Sequence, residues 1–372
     1  MKKVVSILLA VCVVVPFFGI RASADELSLS AKSAVLIEAE TGTVLYSKNA
    51  EERRAMASTT KIMTAILLVE AGDLDRRFTV DTYAIMVEGT SMGLREGDIV
   101  SRRDLLYGIL LPSGNDAANA AAVSVAGSMS AFVKKMNEKA EELGLENTHF
   151  ANPSGLDADG HYTTALDLAN LTAYAMRNEI FREAVSCKSK QLEYGNPPYK
   201  RWLYNSNKML SQYDGAIGVK TGFTDNARRC LVSAAERDGV TLIAVTLSAA
   251  DDWNDHRKML DRGFGQVNAY PLETGCSAAV AVAGTGKKIG VYADSATLAL
   301  KPDQRQKLER RVLLPRIVYG EVKKGDKLGS LEFFLDGKPV KSVALYAAES
   351  VEAESGELNF WQKIFGVFGI YV

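Results

Sequence analysis

The stretch Ser58-Thr59-Thr60-Lys61-Ile62-Met63-Thr64 opens a mostly apolar run that continues to Glu70, and it contains the one S-x-x-K in the 372 residues. This run is too apolar for a surface helix, so it predicts a helix buried between other layers. Residues three apart on a helix share a face, which places Ser58 beside Lys61. The stretch therefore predicts a central helix with a reactive pair at its start.

Two further motifs follow in order, Ser113-Gly114-Asn115 and Lys220-Thr221-Gly222. Pro112 separates helical stretches at 104–111 and 115–125, so we expect the first motif on a turn whose side chains project into a cleft. The second ends a strand predicted at 216–221. The ordered occurrence of all three motifs is typical of serine enzymes that are acylated by peptides or β-lactams.

The chemistry explains these residue types. A serine hydroxyl is a poor nucleophile until a base takes its proton. Lys61 can act as that base if burial and a second cation, Lys220, lower its pKa. Ser113 would relay protons, and Asn115 would hold the substrate peptide group. Alternatively, Ser58 merely caps the helix, a reading that the two other motifs make much less attractive.

Composition excludes several other classes. Hydrophobic residues are 47% and charged residues 24%, as in ordinary globular proteins. The net charge of −1 and the lack of a basic tract argue against a nucleic-acid partner. The three histidines lack metal-ligand spacing, and Gly284-Thr285-Gly286 stands outside any nucleotide fingerprint. We therefore expect neither a metal nor a cofactor.

Both chain ends carry signals of their own. Lys2 and Lys3, an apolar run and Ala22-Ser23-Ala24 predict a signal peptide over residues 1–24, with an uncleaved anchor as the alternative. The aromatic stripe in residues 353–372 predicts an amphipathic helix at a membrane interface, with a cap on the preceding domain as the alternative. Export would leave an odd number of cysteines, hence at least one free thiol or an intermolecular bridge.

Between these ends the pattern predicts two domains. Residues 25–270 begin with a hairpin of strands at 34–38 and 43–47, continue with helices, and end with strands at 216–221, 230–236 and 240–248 and a helix at 256–264. This order indicates one antiparallel sheet flanked by helices, an α+β arrangement. Residues 271–352 form a small all-β domain. Its strands are predicted at 278–282, 289–292, 297–300, 312–314, 317–322, 330–335 and 340–346.

The motifs, together with Asn-Pro-Ser-Gly-Leu (152–156) and Val-Lys-Thr-Gly-Phe-Thr (219–224), resemble the low-molecular-mass penicillin-binding proteins, serine-type D-alanyl-D-alanine carboxypeptidases. The resemblance implies a transpeptidase/β-lactamase-like domain followed by a β-sandwich domain that lifts it off the membrane. It implies removal of the terminal D-alanine from peptidoglycan stem peptides through an acyl-enzyme, covalent inhibition by β-lactams, and a place at the outer face of the cytoplasmic membrane.

The resemblance also implies a role for each motif residue. Ser58 would be the nucleophile, Lys61 the base, and Ser113 a proton relay. The substrate-binding residues would be Asn115, Lys220, Thr221, Gly222, Phe223 and Thr224, with the Phe223 and Ser58 backbone N–H groups forming the oxyanion hole.

Two other functions compete with this one. A β-lactamase would usually carry S-D-N instead of Ser113-Gly114-Asn115, together with a glutamate that activates the deacylating water. A penicillin sensor would need a transmembrane signalling domain, for which the sequence offers no candidate. Release of D-alanine from a pentapeptide mimic separates the three.

Overall fold

The structure is a computed structural model that describes residues 27–352. The predicted signal peptide (1–24) and terminal helix (353–372) lie outside the described residues. Within them the helices are α1 (Lys61–Glu70), α2 (Thr82–Ile85), α3 (Arg102–Leu110), α4 (Asn115–Ala126), α5 (Met129–Glu142), α6 (Ala165–Met176), α7 (Glu179–Ser186), α8 (Met209–Gln212) and α9 (Asp252–Phe264). Short 3-10 helices occupy Ala57–Thr60 and Arg305–Lys307.

Nine strands precede residue 250 and eight follow it within the described residues. The earlier ones are β1 (Ser33–Glu38), β2 (Val44–Lys48), β3 (Arg77–Thr79), β4 (Ile99–Ser101), β5 (Ser189–Gly195), β6 (Pro198–Tyr204), β7 (Ala216–Thr224), β8 (Arg228–Arg237) and β9 (Val240–Ala249). The later ones are β10 (Asn268–Pro271), β11 (Ala279–Val282), β12 (Lys288–Tyr292), β13 (Thr297–Leu300), β14 (Leu308–Leu313), β15 (Ile317–Val318), β16 (Lys327–Leu335) and β17 (Lys338–Ala347).

A five-stranded antiparallel sheet in the order β2-β1-β9-β8-β7 organises the first region. The N-terminal hairpin thus pairs with strands from far along the chain, since Ser33 lies opposite Leu247 and Glu38 opposite Leu242. This confirms the predicted α+β class and the predicted antiparallel sheet, to which the structure adds two separate hairpin-like pairs, β3–β4 and β5–β6.

The sheet is buried on both faces. Successive side chains of a strand point to opposite faces, and β1 shows the result: Val35 and Ile37 join the core that contains α1, while Ala34 and Leu36 join the core that contains α9. Every residue of α1 from Lys61 to Val69 is buried. The prediction of a helix enclosed between layers is therefore confirmed.

The ends of several helices and strands differ from the predicted ones. Ser58 lies in the 3-10 helix before α1 instead of in α1 itself, because the Thr59 and Thr60 hydroxyls donate back to the carbonyls of Met56 and Ala57 at 2.5 and 2.7 Å. Asn115 begins α4, and β7 runs on to Thr224. The β5–β6 hairpin had no predicted counterpart.

The second region is all-β. Its six-stranded sheet has the order β14-β16-β17-β12-β11-β15, and its core is apolar, with Leu331, Phe333 and Leu345 at its centre. The strand at 297–300 forms as predicted but pairs with β10 instead of joining this sheet. The predicted strand at 317–322 is shortened to β15.

The two regions meet at the turn of the first hairpin. Lys341 Nζ lies 2.5 Å from Glu40 Oε1, Lys301 Nζ donates to the Val44 carbonyl at 3.0 Å, and Gln304 Nε2 donates to Thr43 Oγ1 at 3.0 Å. These polar contacts tie the β region to an edge of the sheet away from the three motifs.

Candidate active site

The three motifs converge on the amino end of α1. Lys61 Nζ lies 2.9 Å from Ser58 Oγ and donates to Asn115 Oδ1 at 2.7 Å. A Cβ on Gly222 would stand only 3.0 Å from the Ser58 backbone nitrogen, so β7 passes directly beside the 3-10 helix. The residue at this crossing has to be small, which explains the glycine of the third motif.

Lys61 is fully buried, whereas Ser58 is half-buried and reachable from solvent. The Lys61 amine has three partners: Ser58 Oγ, Asn115 Oδ1 and, at 2.5 Å, the Ser154 carbonyl. The last two are acceptors only. In a neutral amine they take both N–H groups, which leaves the nitrogen lone pair for the Ser58 hydroxyl.

The Asn115 amide is held in the orientation that this arrangement needs. Its Nδ2 donates to the Glu88 carbonyl at 2.7 Å, so Oδ1 faces Lys61. Its backbone N–H donates to the Thr90 carbonyl at 2.7 Å. The loop at 88–90 therefore fixes both ends of Asn115.

Ser113 lies just outside α4, on the turn that Pro112 introduces. Its φ of 66° is left-handed, a conformation that few non-glycine residues adopt. Thr90 Oγ1 donates to its carbonyl at 2.5 Å, which anchors the turn. The prediction that the motif sits on a turn holds for Ser113 and Gly114, while Asn115 belongs to the helix.

Lys220 is fully buried on β7, where its Nζ donates to the Thr221 carbonyl at 2.9 Å. Burial lowers the pKa of Lys220 to about 7. The pKa of Lys61 is also well below its ordinary value, first because of burial and then because of the Lys220 charge, with Asp116 opposing both. The pair thus favours a neutral amine at Lys61.

Thr221, Phe223 and Thr224 continue β7 after Lys220. Thr221 Oγ1 lies 2.8 Å from Ser206 Oγ, and Thr224 Oγ1 donates to Asp157 Oδ1 at 2.9 Å. Phe223 is 58% exposed. The three segments that contain the nine predicted site residues therefore lie next to one another in the structure.

A fourth segment, 152–156, completes the site and was not predicted to do so. Besides the Ser154 carbonyl, it contributes Gly155, whose φ is +87° and whose added Cβ would lie 2.0 Å from the Ala57 carbonyl oxygen. Asn152 Oδ1 accepts from the Ser154 and Gly155 N–H groups and holds the turn. The Asn-Pro-Ser-Gly composition signals a turn, but a backbone carbonyl leaves no mark in the sequence.

His161 supports the 3-10 helix instead of acting as a metal ligand. The Ala151 N–H donates to its Nδ1 at 2.9 Å, so Nε2 carries the proton that faces Thr60 Oγ1 at 2.8 Å. Burial lowers the pKa of His161 to about 4, which keeps the ring neutral. Within residues 27–352, no group of three His, Cys, Asp or Glu side chains is placed to hold a metal ion.

The described cysteines, Cys187, Cys230 and Cys276, are all free. Burial raises the pKa of the Cys230 thiol to about 12, so it stays protonated and unreactive. Across the described part of the chain, no helix has both the length and the apolar character that a membrane crossing requires.

Comparison with known proteins identifies this arrangement. Residues 20–251 match the family model of D-alanyl-D-alanine carboxypeptidases. The chain belongs to this family. Residues 277–353 match a second model, the C-terminal domain of penicillin-binding protein 5. The two models together cover both regions of the fold.

Relatives cover most of the chain. It is 34% identical to the D-alanyl-D-alanine carboxypeptidase DacF of Bacillus subtilis over 92% of this chain and 91% of that protein. It is 31% identical to the carboxypeptidase DacC of Escherichia coli over 90% and 88%. These carboxypeptidases place the chain among serine hydrolases of the penicillin-binding protein class.

Solved structures agree. The DD-transpeptidase of Streptomyces K15 superimposes with a TM-score of 0.61 at 36% identity, covering 64% of this chain and 98% of that one. The carboxypeptidase DacD of Francisella tularensis superimposes with a TM-score of 0.62 at 26% identity, covering 88% and 95%. The first matches the catalytic region, and the second extends over both regions.

Proposed function

We propose that this protein removes the terminal D-alanine from peptidoglycan stem peptides through an acyl-enzyme on Ser58. The observation that carries the proposal is the set of three partners around the Lys61 amine. Two acceptors occupy its N–H groups, and the serine hydroxyl occupies the remaining direction. That geometry suits a base that takes a proton from one particular hydroxyl.

In the acylation step, Ser58 Oγ attacks the carbonyl carbon of the penultimate D-alanine, and its proton moves to Lys61 Nζ. The resulting ammonium has three N–H groups for the same three oxygens, so the site accommodates the charged form without rearrangement. The oxyanion points to the backbone N–H groups of Ser58 and Phe223. Such preorganised donors typically supply about 3–4 kcal/mol each.

Collapse of this intermediate breaks the C–N bond and releases D-alanine, whose amine takes the proton held by the Lys61 ammonium through the Ser113 hydroxyl, which leaves Lys61 neutral again. Lys220 and Thr221 bind the terminal carboxylate, Asn115 and Thr224 help to hold the peptide, and Gly222 permits the close approach of β7. Water then hydrolyses the Ser58 ester and releases the shortened stem. A β-lactam opens its ring on the same serine and leaves an ester that resists this last step.

Purified protein tests the proposal directly. We expect D-alanine release from a soluble pentapeptide and covalent labelling by a fluorescent penicillin, both lost in Ser58→Ala. Ser101→Ala, an N-cap serine on α3, is a control that should keep both. Full labelling of Ser58→Ala would place the nucleophile elsewhere, and hydrolysis of penicillin without D-alanine release would favour a β-lactamase.

We propose further that the protein is exported by residues 1–24 and held at the membrane surface by residues 353–372. Support comes from the sequence: Phe360, Trp361, Ile364, Phe365 and Phe368 recur at helical spacing, with Lys363 as a nearby cation. Deletion of residues 357–372 should abolish sedimentation with liposomes and leave peptide turnover unchanged. Equal sedimentation of both forms would contradict membrane binding by this segment.

A further inference from the structure

The β5–β6 hairpin exposes an aromatic surface to solvent. Trp202 and Tyr204 are 55% and 66% exposed, and their rings stack with centroids 6.4 Å apart and planes inclined by 23°. Large aromatic side chains in water are costly, and a flat pair is typical of an interaction surface. The mechanism proposed above does not use either residue.

Polar side chains surround this pair. In the antiparallel register Tyr204 lies opposite Ser189, Trp202 opposite Gln191, and Lys200 opposite Glu193. Residues opposite one another project on the same face of a sheet. The surface therefore presents two aromatic rings beside a hydroxyl, an amide and a pair of charges.

The other face of the hairpin fixes it to the body of the protein. Leu192 and Leu203 are buried, Tyr194 OH donates to the Met92 carbonyl at 2.7 Å, and Arg201 Nη1 donates to the Gly93 carbonyl at 2.8 Å. The Arg201 guanidinium also lies 4.1 and 3.9 Å from the ring centroids of Tyr194 and Tyr199. The aromatic surface is thus presented by an anchored hairpin.

The strand that carries this surface leads to the catalytic cleft. Two residues after Tyr204, the Ser206 N–H donates to the Leu111 carbonyl at 3.0 Å, just before the turn of Ser113. Ser206 Oγ lies 2.8 Å from Thr221 Oγ1. The strand that displays the aromatic pair therefore ends between two of the catalytic motifs.

We propose that the Trp202–Tyr204 surface binds the glycan strand of polymeric peptidoglycan while a stem peptide of that strand occupies the cleft. Sugar rings carry polarised C–H groups that pack on the negative face of aromatic rings. Their hydroxyl and N-acetyl groups fit the neighbouring Gln191, Ser189 and Lys200. This inference rests on the proposed function and gives it a preferred substrate, the polymer over the free peptide.

A membrane surface fits less well. The residues flanking the aromatic pair are Gln191, Glu193 and Lys200 instead of aliphatic side chains, and an acidic group opposes contact with anionic lipids. The position beside the cleft also favours a ligand that is attached to the peptide substrate.

The test compares two substrates in full-length protein: a soluble pentapeptide and polymeric glycan strands that bear the same pentapeptide. In Trp202→Ala/Tyr204→Ala we expect kcat/KM for D-alanine release from the polymer to fall about tenfold, as lost stacking implies, with little change for the peptide. Tyr319→Ala, an exposed tyrosine of the β region, is the matched control. It should leave both rates unchanged.

A second measurement follows binding to peptide-free glycan strands and to phosphatidylglycerol vesicles. The double variant should lose affinity for the glycan and keep its affinity for the vesicles. Equal losses on polymer and peptide, unchanged rates on both, or loss of vesicle binding alone would each overturn the inference. Failure of the wild type to release D-alanine from either substrate would instead refute the proposed function, and the glycan-binding measurement would still judge this surface.

Discussion

The two regions of this molecule bury very different side chains. Between residues 27 and 256 the interior includes two lysines, Lys61 and Lys220, and acidic groups such as Asp116 and Asp255. From residue 271 to 352 every fully buried side chain is apolar. The acids are satisfied, since Asp116 accepts from the Met92 and Leu94 N–H groups and Asp255 from those of Ser30 and Ala31. Burial of the two amines costs free energy, and such a cost is typical of a functional site.

The comparison indicates that the catalytic region is less stable than it could be, because it buries two amines. The catalytic region holds two amines in a dry site because their lowered pKa values serve chemistry. The β region has no such requirement, and its interior is used for packing alone. The predictions below probe this division, from the largest expected effect to the smallest.

Replacing Lys61 should separate chemistry from stability. Lys61→Met removes the base and should slow acylation by penicillin about 10²–10⁴-fold without lowering the melting temperature, because it also removes a buried amine. Stopped-flow labelling and circular dichroism measure the two quantities. Lys135→Met, on the exposed face of α5, serves as the control. Acylation at the wild-type rate would contradict a role for Lys61 as base.

The opposite behaviour is expected in the β region. Phe333 is fully buried there, and Phe333→Ala should lower the free energy of unfolding by about 3–5 kcal/mol. Its neighbour Phe334 is only half-buried, so Phe334→Ala should cost much less. Urea unfolding measures the loss. Peptide turnover per folded molecule should stay constant, and a parallel loss of kcat would show that the two regions are not separable.

Lys220 should show the stability cost directly. Its pKa in the folded state lies below that of the unfolded chain, so the buried amine destabilises the fold as pH falls, fully so below about pH 7. Lys220→Met should therefore raise the free energy of unfolding by about 1–3 kcal/mol at pH 6. The gain should shrink toward pH 10. A gain independent of pH would point to packing instead of charge.

The pH profile of the unmodified enzyme gives the smallest effect. For peptides that end in a carboxylate, kcat/KM should fall by at most about tenfold per pH unit above about pH 7, as Lys220 loses its charge. A peptide ending in a neutral amide should lack this alkaline limb. Identical profiles for the two peptides would remove Lys220 as the carboxylate partner.

The features that depend on side-chain type and apolar pattern could be predicted from the sequence. The order of the motifs predicted that Ser58, Asn115 and Lys220 would lie close together, and the apolar run predicted a buried helix after Ser58. The structure shows both, while the role of each residue in catalysis stays a prediction. The order of elements predicted that the first hairpin shares a sheet with the late strands, and the structure adds that its partner there is β9.

What escaped prediction depends on backbone atoms and on distant contacts. The Ser154 carbonyl on Lys61 and the contact of Ser206 with Thr221 arise from tertiary placement. The β5–β6 hairpin was missed because Lys190 interrupts the apolar face that Leu192 and Tyr194 continue. Its contact with the Tyr107 ring, 5.0 Å from Nζ to the centroid, appears only in the folded chain. The 3-10 helix at Ser58 follows from two threonine hydroxyls that helical periodicity ignores.

The pairing of β1 with β9 also sets when the serine becomes reactive. Ser33 and Leu247 meet across most of the catalytic region, and long-range pairing of this kind is slow relative to local structure. The helix of Lys61 is local structure, but the Lys61 amine is not buried until β7 packs beside the 3-10 helix. A partly folded chain would hold a fully protonated lysine beside an inert serine. Penicillin added during refolding should therefore label only molecules in which β7 has packed beside the 3-10 helix. The labelled fraction over time then measures how fast that packing occurs.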